Sequence, residues 1–169
     1  MNIVMGFVGE NAEFNFHRLK GAANKHVQAD IPLNIVSSQD GKAIFALHQP
    51  VGFYPLEKPF YSPDEKVLCL LQGYFWFQSH FPLDKKQTIE GIIKASHKLI
   101  RTNRITLSED DGGLYNFVCY DEKSRNLFIT NDYSGIFPLF YSINSDGIYF
   151  STHIRIIAKT LAKQFDPVS

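Results

Sequence analysis

Short apolar runs that alternate with turn-forming clusters constrain this chain more than any other feature. In the second half, Leu114 to Tyr120, Asn126 to Thr130, Leu139 to Ile143 and Ile148 to Ser151 follow an Asp110-Asp111-Gly112-Gly113 turn. A Lys-Ser-Arg-Asn turn and an Asn-Ser-Asp-Gly turn join them. Runs of this length, rich in β-branched and aromatic residues and punctuated by Gly, Asn, Asp and Ser, read as an antiparallel meander. Upstream, Leu33 to Val36 and Ala43 to Leu47 flank Asp40-Gly41, a pair that readily takes the positive φ angles of a hairpin turn. Ile3 to Val8 reads as a first strand, and Val67 to Phe77 as a long one interrupted only by Gln72 and Gly73. A glycine inside such a run indicates a bulge or a close backbone approach.

Two segments carry helical spacing instead. From Thr88 to Arg101, Ile89, Ile92, Ile93, Leu99 and Ile100 fall near the 3.6-residue period, with Lys98 and Arg101 in the last turn, where they suit the helix dipole. Ile154, Ile157, Ala158 and Leu161 mark a second amphipathic helix. Glu10 to Asp30 is polar without a clear period and reads as loop with at most one short helix. Lys58 to Asp64 carries two prolines and a Ser-Pro-Asp turn. Strands punctuated by two well-separated helices, without strict βαβ alternation, predict an α+β domain built on mainly antiparallel sheets.

Composition narrows the function classes. The 169 residues suffice for one domain, and a domain of that size buries roughly two-thirds of the surface its unfolded chain exposes. Seventeen basic residues balance 17 acidic ones, so the chain lacks the electrostatic footprint of a nucleic-acid or anionic-membrane binder. Cys69 and Cys119 each sit inside an apolar run and read as small buried hydrophobes. The apolar N-terminus is short, lacks a basic leader and runs straight into Glu10, so it reads as a strand and not a signal peptide. No run approaches membrane-spanning length. The expectation is a cytoplasmic protein.

The residues Phe117, Tyr120, Asp121, Glu122, Leu127, Phe128, Asn131, Asp132, Gly135, Ile136, Pro138, Leu139, Tyr141, Gly147, Phe150 and Ile154 carry a more specific signal. In order and spacing they resemble the G-x-F-A-F-x-x-W-D-E, L-F-x-x-R-D-R-F-G-I-K-P-L-Y-Y and F-A-S-E-I-K segments of asparagine-synthetase-type class II glutamine amidotransferases. Met1 to Phe7 is similar to the opening M-C-G-I-A-G-I. Lys58-Pro59-Phe60-Tyr61, followed by Val67 to Gly73, is similar to Q-P-L-Y leading into V-x-N-G-E-I-Y-N. The resemblance covers nearly all of residues 1–169. It implies an αββα sandwich of two antiparallel sheets, as in N-terminal-nucleophile hydrolases.

The resemblance also identifies what is missing. In the family an N-terminal cysteine attacks the glutamine carboxamide with its own α-amine as base; here that position is Asn2, whose carboxamide is neither nucleophilic nor titratable. The oxyanion donors are an asparagine side chain and the next glycine's amide, each worth about 2.7–4 kcal/mol; here they become Gln72 and Gly73. One extra methylene misplaces a donor that must be held closely. The H-x-R clamp on the substrate carboxylate becomes His48, Gln49 and Pro50, without the guanidinium fork. The R-G-P-D loop is unmatched, and Gln87 and Thr88 are nearest to the S-D-T-E aspartate.

No substitute chemistry is legible. His17, His26, His48, His80, His97 and His153 show no metal-ligand spacing, and no G-x-S-x-G elbow or phosphate loop occurs. Tyr74, Phe75, Trp76 and Phe77 lack the basic surroundings of a base-stacking platform and read as packing residues. The reading is therefore a catalytically degenerate glutaminase-like domain, a structural or interaction module. Its partner is a synthetase domain in cis or trans, as in β-lactam synthetases and peptide-cyclising relatives. Phe165 to Ser169 falls near the family's passage into that domain, so residues 1–169 read as the N-terminal part of a longer protein. ATP and Mg²⁺ belong only to the synthetase domain, and no cofactor is expected here. The alternatives are an active amidohydrolase using Ser37 or Cys69, and a sensor binding an amino acid near Gln72 and Gly73.

Overall fold

The computed structural model describes residues 2–48, 58–76, 91, 112–132 and 134–162. In chain order its elements are β1 (Ile3–Gly9), α1 (Ala12–Val27), β2 (Asn34–Ser37), β3 (Ala43–His48), β4 (Phe60–Ser62) and β5 (Val67–Trp76). They continue with β6 (Gly112–Asp121), β7 (Asn126–Asn131), β8 (Phe140–Ile143), β9 (Gly147–Ser151) and α2 (Ile154–Thr160). Two antiparallel sheets result, a five-stranded one ordered β2-β3-β1-β9-β8 and a four-stranded one ordered β4-β5-β6-β7.

The apolar character of β1 follows from its place. Successive side chains of a strand point to opposite faces, and both faces of β1 are covered. Ile3, Met5 and Phe7 pack with Phe16, Leu19 and Ala23 of α1 and with Ile156 of α2. Val4 and Val8 point the other way, into an inter-sheet core with Phe45, Leu47, Leu68, Leu70, Val118 and Tyr120. The outward face of the second sheet is buried too, at Cys69, Leu71, Phe117 and Cys119. The fold is α+β, with two stacked antiparallel sheets and helices on the outer face of the first, consistent with an αββα sandwich. Of the expected helix from Thr88 to Arg101, Gly91 alone is among the described residues, where it is helical.

Two readings need correction. Glu10 to Asp30 is not loop: α1 fills most of it. Its core stripe is Ala12, Phe16, Leu19, Ala22 and Ala23, with Asn15 buried in the same seam. Small alanines and a polar residue carry that stripe, so its period is faint on apolarity. Asn15 is tolerated because it accepts a 2.7 Å hydrogen bond from the Tyr149 hydroxyl and donates one of 3.1 Å to the Glu10 carbonyl. Within Lys58 to Asp64, β4 pairs Phe60 with Cys69 and Ser62 with Val67 at the sheet edge. Pro59 and Pro63 fall just outside it, where a missing N–H disturbs no ladder.

Second, the late strands do not form one meander. β6 and β7 pair in the four-stranded sheet, and β8 and β9 pair in the five-stranded one. The link after β7 crosses between sheets over a turn built by Asp132. Its carboxylate accepts from the Ser134 amide at 2.8 Å and the Tyr115 amide at 3.2 Å, and its carbonyl accepts from the Gly135 amide at 3.1 Å. Gly135 has φ +60°, the left-handed conformation glycine takes without penalty.

Candidate functional site

The two ends of the sandwich are distinct. At one end the β2–β3 turn is tied to the second sheet. The Tyr120 hydroxyl donates to Asp40 at 2.8 Å, and the Gln39 amide donates to Glu122 at 2.5 Å. The opposite end therefore gathers the start of β1, the end of β3 and the far part of β5. Ile3 pairs with His48, which places Asn2 just beyond that pair, and Gln72 pairs with Asn116. By strand alternation Asn2 continues the Val4 face, Gln72 the Leu68 and Leu70 face, and Asn116 the Val118 face. The fold thus brings Asn2, His48, Gln72 and Gly73 to one end; Gln49 and Pro50 lie outside the described residues.

Local contacts define what this end can do. The Asn2 carbonyl accepts a 3.2 Å hydrogen bond from His153 Nε2, whose ring lies 5.6 Å from that of His26. Burial lowers the pKa of His26, and the nearby His153, Lys159 and Arg155 lower it further. His48 Nδ1 donates to the Pro32 carbonyl at 3.1 Å. Gln72 is buried and its Oε1 accepts from Asn116 Nδ2 at 2.9 Å, while Asn116 Oδ1, also buried, has no hydrogen-bond partner among the described residues. Such an orphaned acceptor is uncommon in a folded interior. Gly73 has φ +93°, and a Cβ built there would meet the Leu114 carbonyl oxygen at 2.1 Å and Phe137 Cε2 at 3.0 Å. The register runs unbroken from Val67 to Trp76. Gly73 is therefore a close backbone approach and not a bulge.

Sequence reasoning passed over Asn116. Its one signal was a polar residue on the inward-facing positions Asn116, Val118 and Tyr120 of an otherwise apolar strand. The Tyr120-Asp121-Glu122 segment turns out to be structural at the other end. Tyr120 and Glu122 hold the β2–β3 turn, while Asp121 accepts from the Lys123 and Ser124 amides, each at 3.2 Å. Burial and the Asp40 hydrogen bond raise the Tyr120 pKa.

The remaining candidates are dispersed. Ser37 ends β2 beside the tied turn, away from Asn2, and Cys69 lies within β5 with its side chain on the outer face. His17 is exposed on α1. His80 and His97, like Gln87, Thr88 and Phe77, lie outside the described residues. Among the described residues no group of three or more His, Cys, Asp or Glu could hold a metal ion, and no helix is long and apolar enough to cross a membrane.

No curated protein matches the chain. The model of a glutamine amidotransferase domain matches residues 87–159, which include β6 to β9 and most of α2 but not Asn2, His48, Gln72 or Gly73. Together with the stacked antiparallel sheets, that match supports a glutamine amidotransferase domain in this chain.

Proposed function

We propose that this is a catalytically degenerate glutaminase-like domain with the fold of N-terminal-nucleophile hydrolases. In this reading it is a cytoplasmic structural or interaction module of an asparagine-synthetase-like amide-forming protein. The observation that carries the reading is that Asn2, which the resemblance aligns with the family's nucleophile, lies at the same end of the sandwich as Gln72. A carboxamide cannot attack an amide carbon, and Gln72 is one methylene longer than the asparagine donor that the resemblance implies at its position. The partner in this reading is a synthetase domain that binds ATP and Mg²⁺ and accepts an amine not released from glutamine here. The sheet edge supports an interaction role: Tyr141 and Ile143 of β8 are 63% and 66% exposed and, with Leu127, Ile129 and Ile148, line a groove of about 240 Å³. Exposed apolar surface rimmed by polar residues marks contact sites.

The test is a glutaminase assay with ammonia readout on the native chain, beside an Asn2→Cys variant freed of its initiator methionine. Silence in both supports a site degraded beyond its nucleophile, and turnover by the native chain overturns the reading. The orphaned Asn116 Oδ1 favours a second reading, a sensor whose interior end takes an amino acid without cleaving it. Titration calorimetry against glutamine, asparagine and their acids tests that; heats indistinguishable from dilution exclude it.

A further inference from the structure

Cys69 and Cys119 are directly opposed in the pairing of β5 with β6, which their separation in sequence could not reveal. The kind of position they occupy follows from the ladder. The Glu122 amide donates to the Lys66 carbonyl, in line with the register of this strand pair, so that pair is hydrogen-bonded. Hydrogen-bonded and non-hydrogen-bonded pairs alternate along an antiparallel ladder. Counting from Lys66 and Glu122, Leu68 with Tyr120 is hydrogen-bonded and Cys69 with Cys119 is not. The other side of β6 agrees: the Asp132 amide donates to the Tyr115 carbonyl, so the odd-numbered backbone groups of β6 turn toward β7.

At a non-hydrogen-bonded position the two side chains leave the sheet on one face with Cα atoms about 4.5 Å apart. That falls within the roughly 4.4–6.8 Å span of natural disulfides. Both residues are buried, at 1% and 0% exposure, which shields them from bulky reagents but not from a small oxidant entering through local opening of the strands.

We propose that Cys69 and Cys119 are a reversible dithiol–disulfide pair, a modification site for small two-electron oxidants of the peroxide class. One thiolate attacks a peroxide oxygen, the O–O bond breaks and hydroxide leaves, giving a sulfenic acid. The second thiolate attacks that sulfur, the S–S bond forms and a second hydroxide leaves. Overall two thiols lose two electrons and two protons, and one peroxide becomes two waters. The bond staples β5 to β6 three residues from both Gln72 and Asn116, and it stands whether or not the domain hydrolyses glutamine.

The experiment treats the folded wild-type protein with hydrogen peroxide in the presence of dimedone, then follows intact mass, non-reducing peptide maps and circular dichroism. The expected result is loss of two hydrogens, one linked peptide pair containing Cys69 and Cys119, an unchanged fold, and reversal by dithiothreitol. Cys69→Ala and Cys119→Ala should each lose the linked pair and instead carry a dimedone adduct on the remaining cysteine. Dimedone or higher-oxide adducts without the linked pair in the wild type, a link between two chains, or no change in mass would each overturn the proposal.

Discussion

Asn116 Nδ2 donates a 2.9 Å hydrogen bond to Gln72 Oε1 between facing positions of β5 and β6, with both carboxamides shut away from solvent. Removing one partner strands the other, at a cost of about 1–3 kcal/mol, whereas replacing both with apolar groups of similar shape is far milder. Gln72→Met and Asn116→Leu should each lower stability by about that amount, and the double variant should lose less than the sum. Urea unfolding of the four proteins checks this; strict additivity would show that the bond holds nothing.

Tyr120 and Asp40 join the sheets at the opposite end. Burial alone would raise the Asp40 pKa, but hydrogen bonds from Ser38, the Lys42 amide and Tyr120 outweigh it, so the carboxyl lies below its ordinary 3.8. A depressed carboxylate stabilises the fold above its unfolded pKa, and that contribution disappears as pH falls through the folded value. Stability should therefore decline on acidification below about pH 4. Tyr120→Phe should cost about 1 kcal/mol at neutral pH and flatten that acid limb. An equal loss at every pH would exclude the carboxylate as the cause.

At the alkaline end the sign reverses. Burial, aided by the Asp132 carboxylate, pushes Tyr115 up to about 12, and burial also raises Tyr149 from the ordinary 10.0. A group with a raised pKa stabilises the fold fully below its unfolded value and loses that contribution as pH rises through the folded one. Stability should fall from about pH 10 upward. The Tyr115 phenolate, followed by ultraviolet absorbance in wild type against Tyr115→Phe, should form late and in step with unfolding. Ionisation near its ordinary value in a folded chain would contradict its burial.

His26 gives a neutral-range counterpart. Burial, then His153, Lys159 and Arg155, depress its pKa from 6.5. Its neutral form therefore supports the fold above the unfolded value, and the support weakens as pH falls below it. Proton NMR of the ring should show His26 titrating below its ordinary 6.5, and Lys159→Met should move it part of the way back. No movement would exclude the Lys159 charge as a contributor.

Gly73→Ala combines two penalties. A non-glycine residue at positive φ costs about 1–3 kcal/mol, and the new Cβ would overlap the Leu114 carbonyl oxygen at 2.1 Å. The variant should unfold at markedly lower denaturant than Gly21→Ala, whose Cβ meets nothing within 4 Å. Comparable midpoints would mean β5 relaxes away from β6 at this position.

The strands were legible because their signals are local. Asp40-Gly41 and the Asn144 to Gly147 cluster mark chain reversals in any context, and the apolar run from Ile3 to Val8 has to be buried wherever it folds. α1 was not legible, since its buried stripe is mostly alanine and its Asn15 becomes a core residue only when Tyr149 and the Glu10 carbonyl meet it. The candidate site was readable in part. Asn2, His48, Gln72 and Gly73 were identifiable by resemblance, and Asn116 was hidden because its partner lies on another strand.

By itself the sequence determined the α+β class, most strand positions, the long strand with its glycine and the absence of a cysteine at position 2. These depend on side-chain size, backbone freedom and periodicity, properties that each residue carries with it. Only the tertiary structure decided that the late strands divide between two sheets, that Gln72 faces Asn116 and that Cys69 faces Cys119. Those pairings depend on strand register, and register is set when both faces of a sheet find their cover, a condition that residues distant in the chain satisfy together.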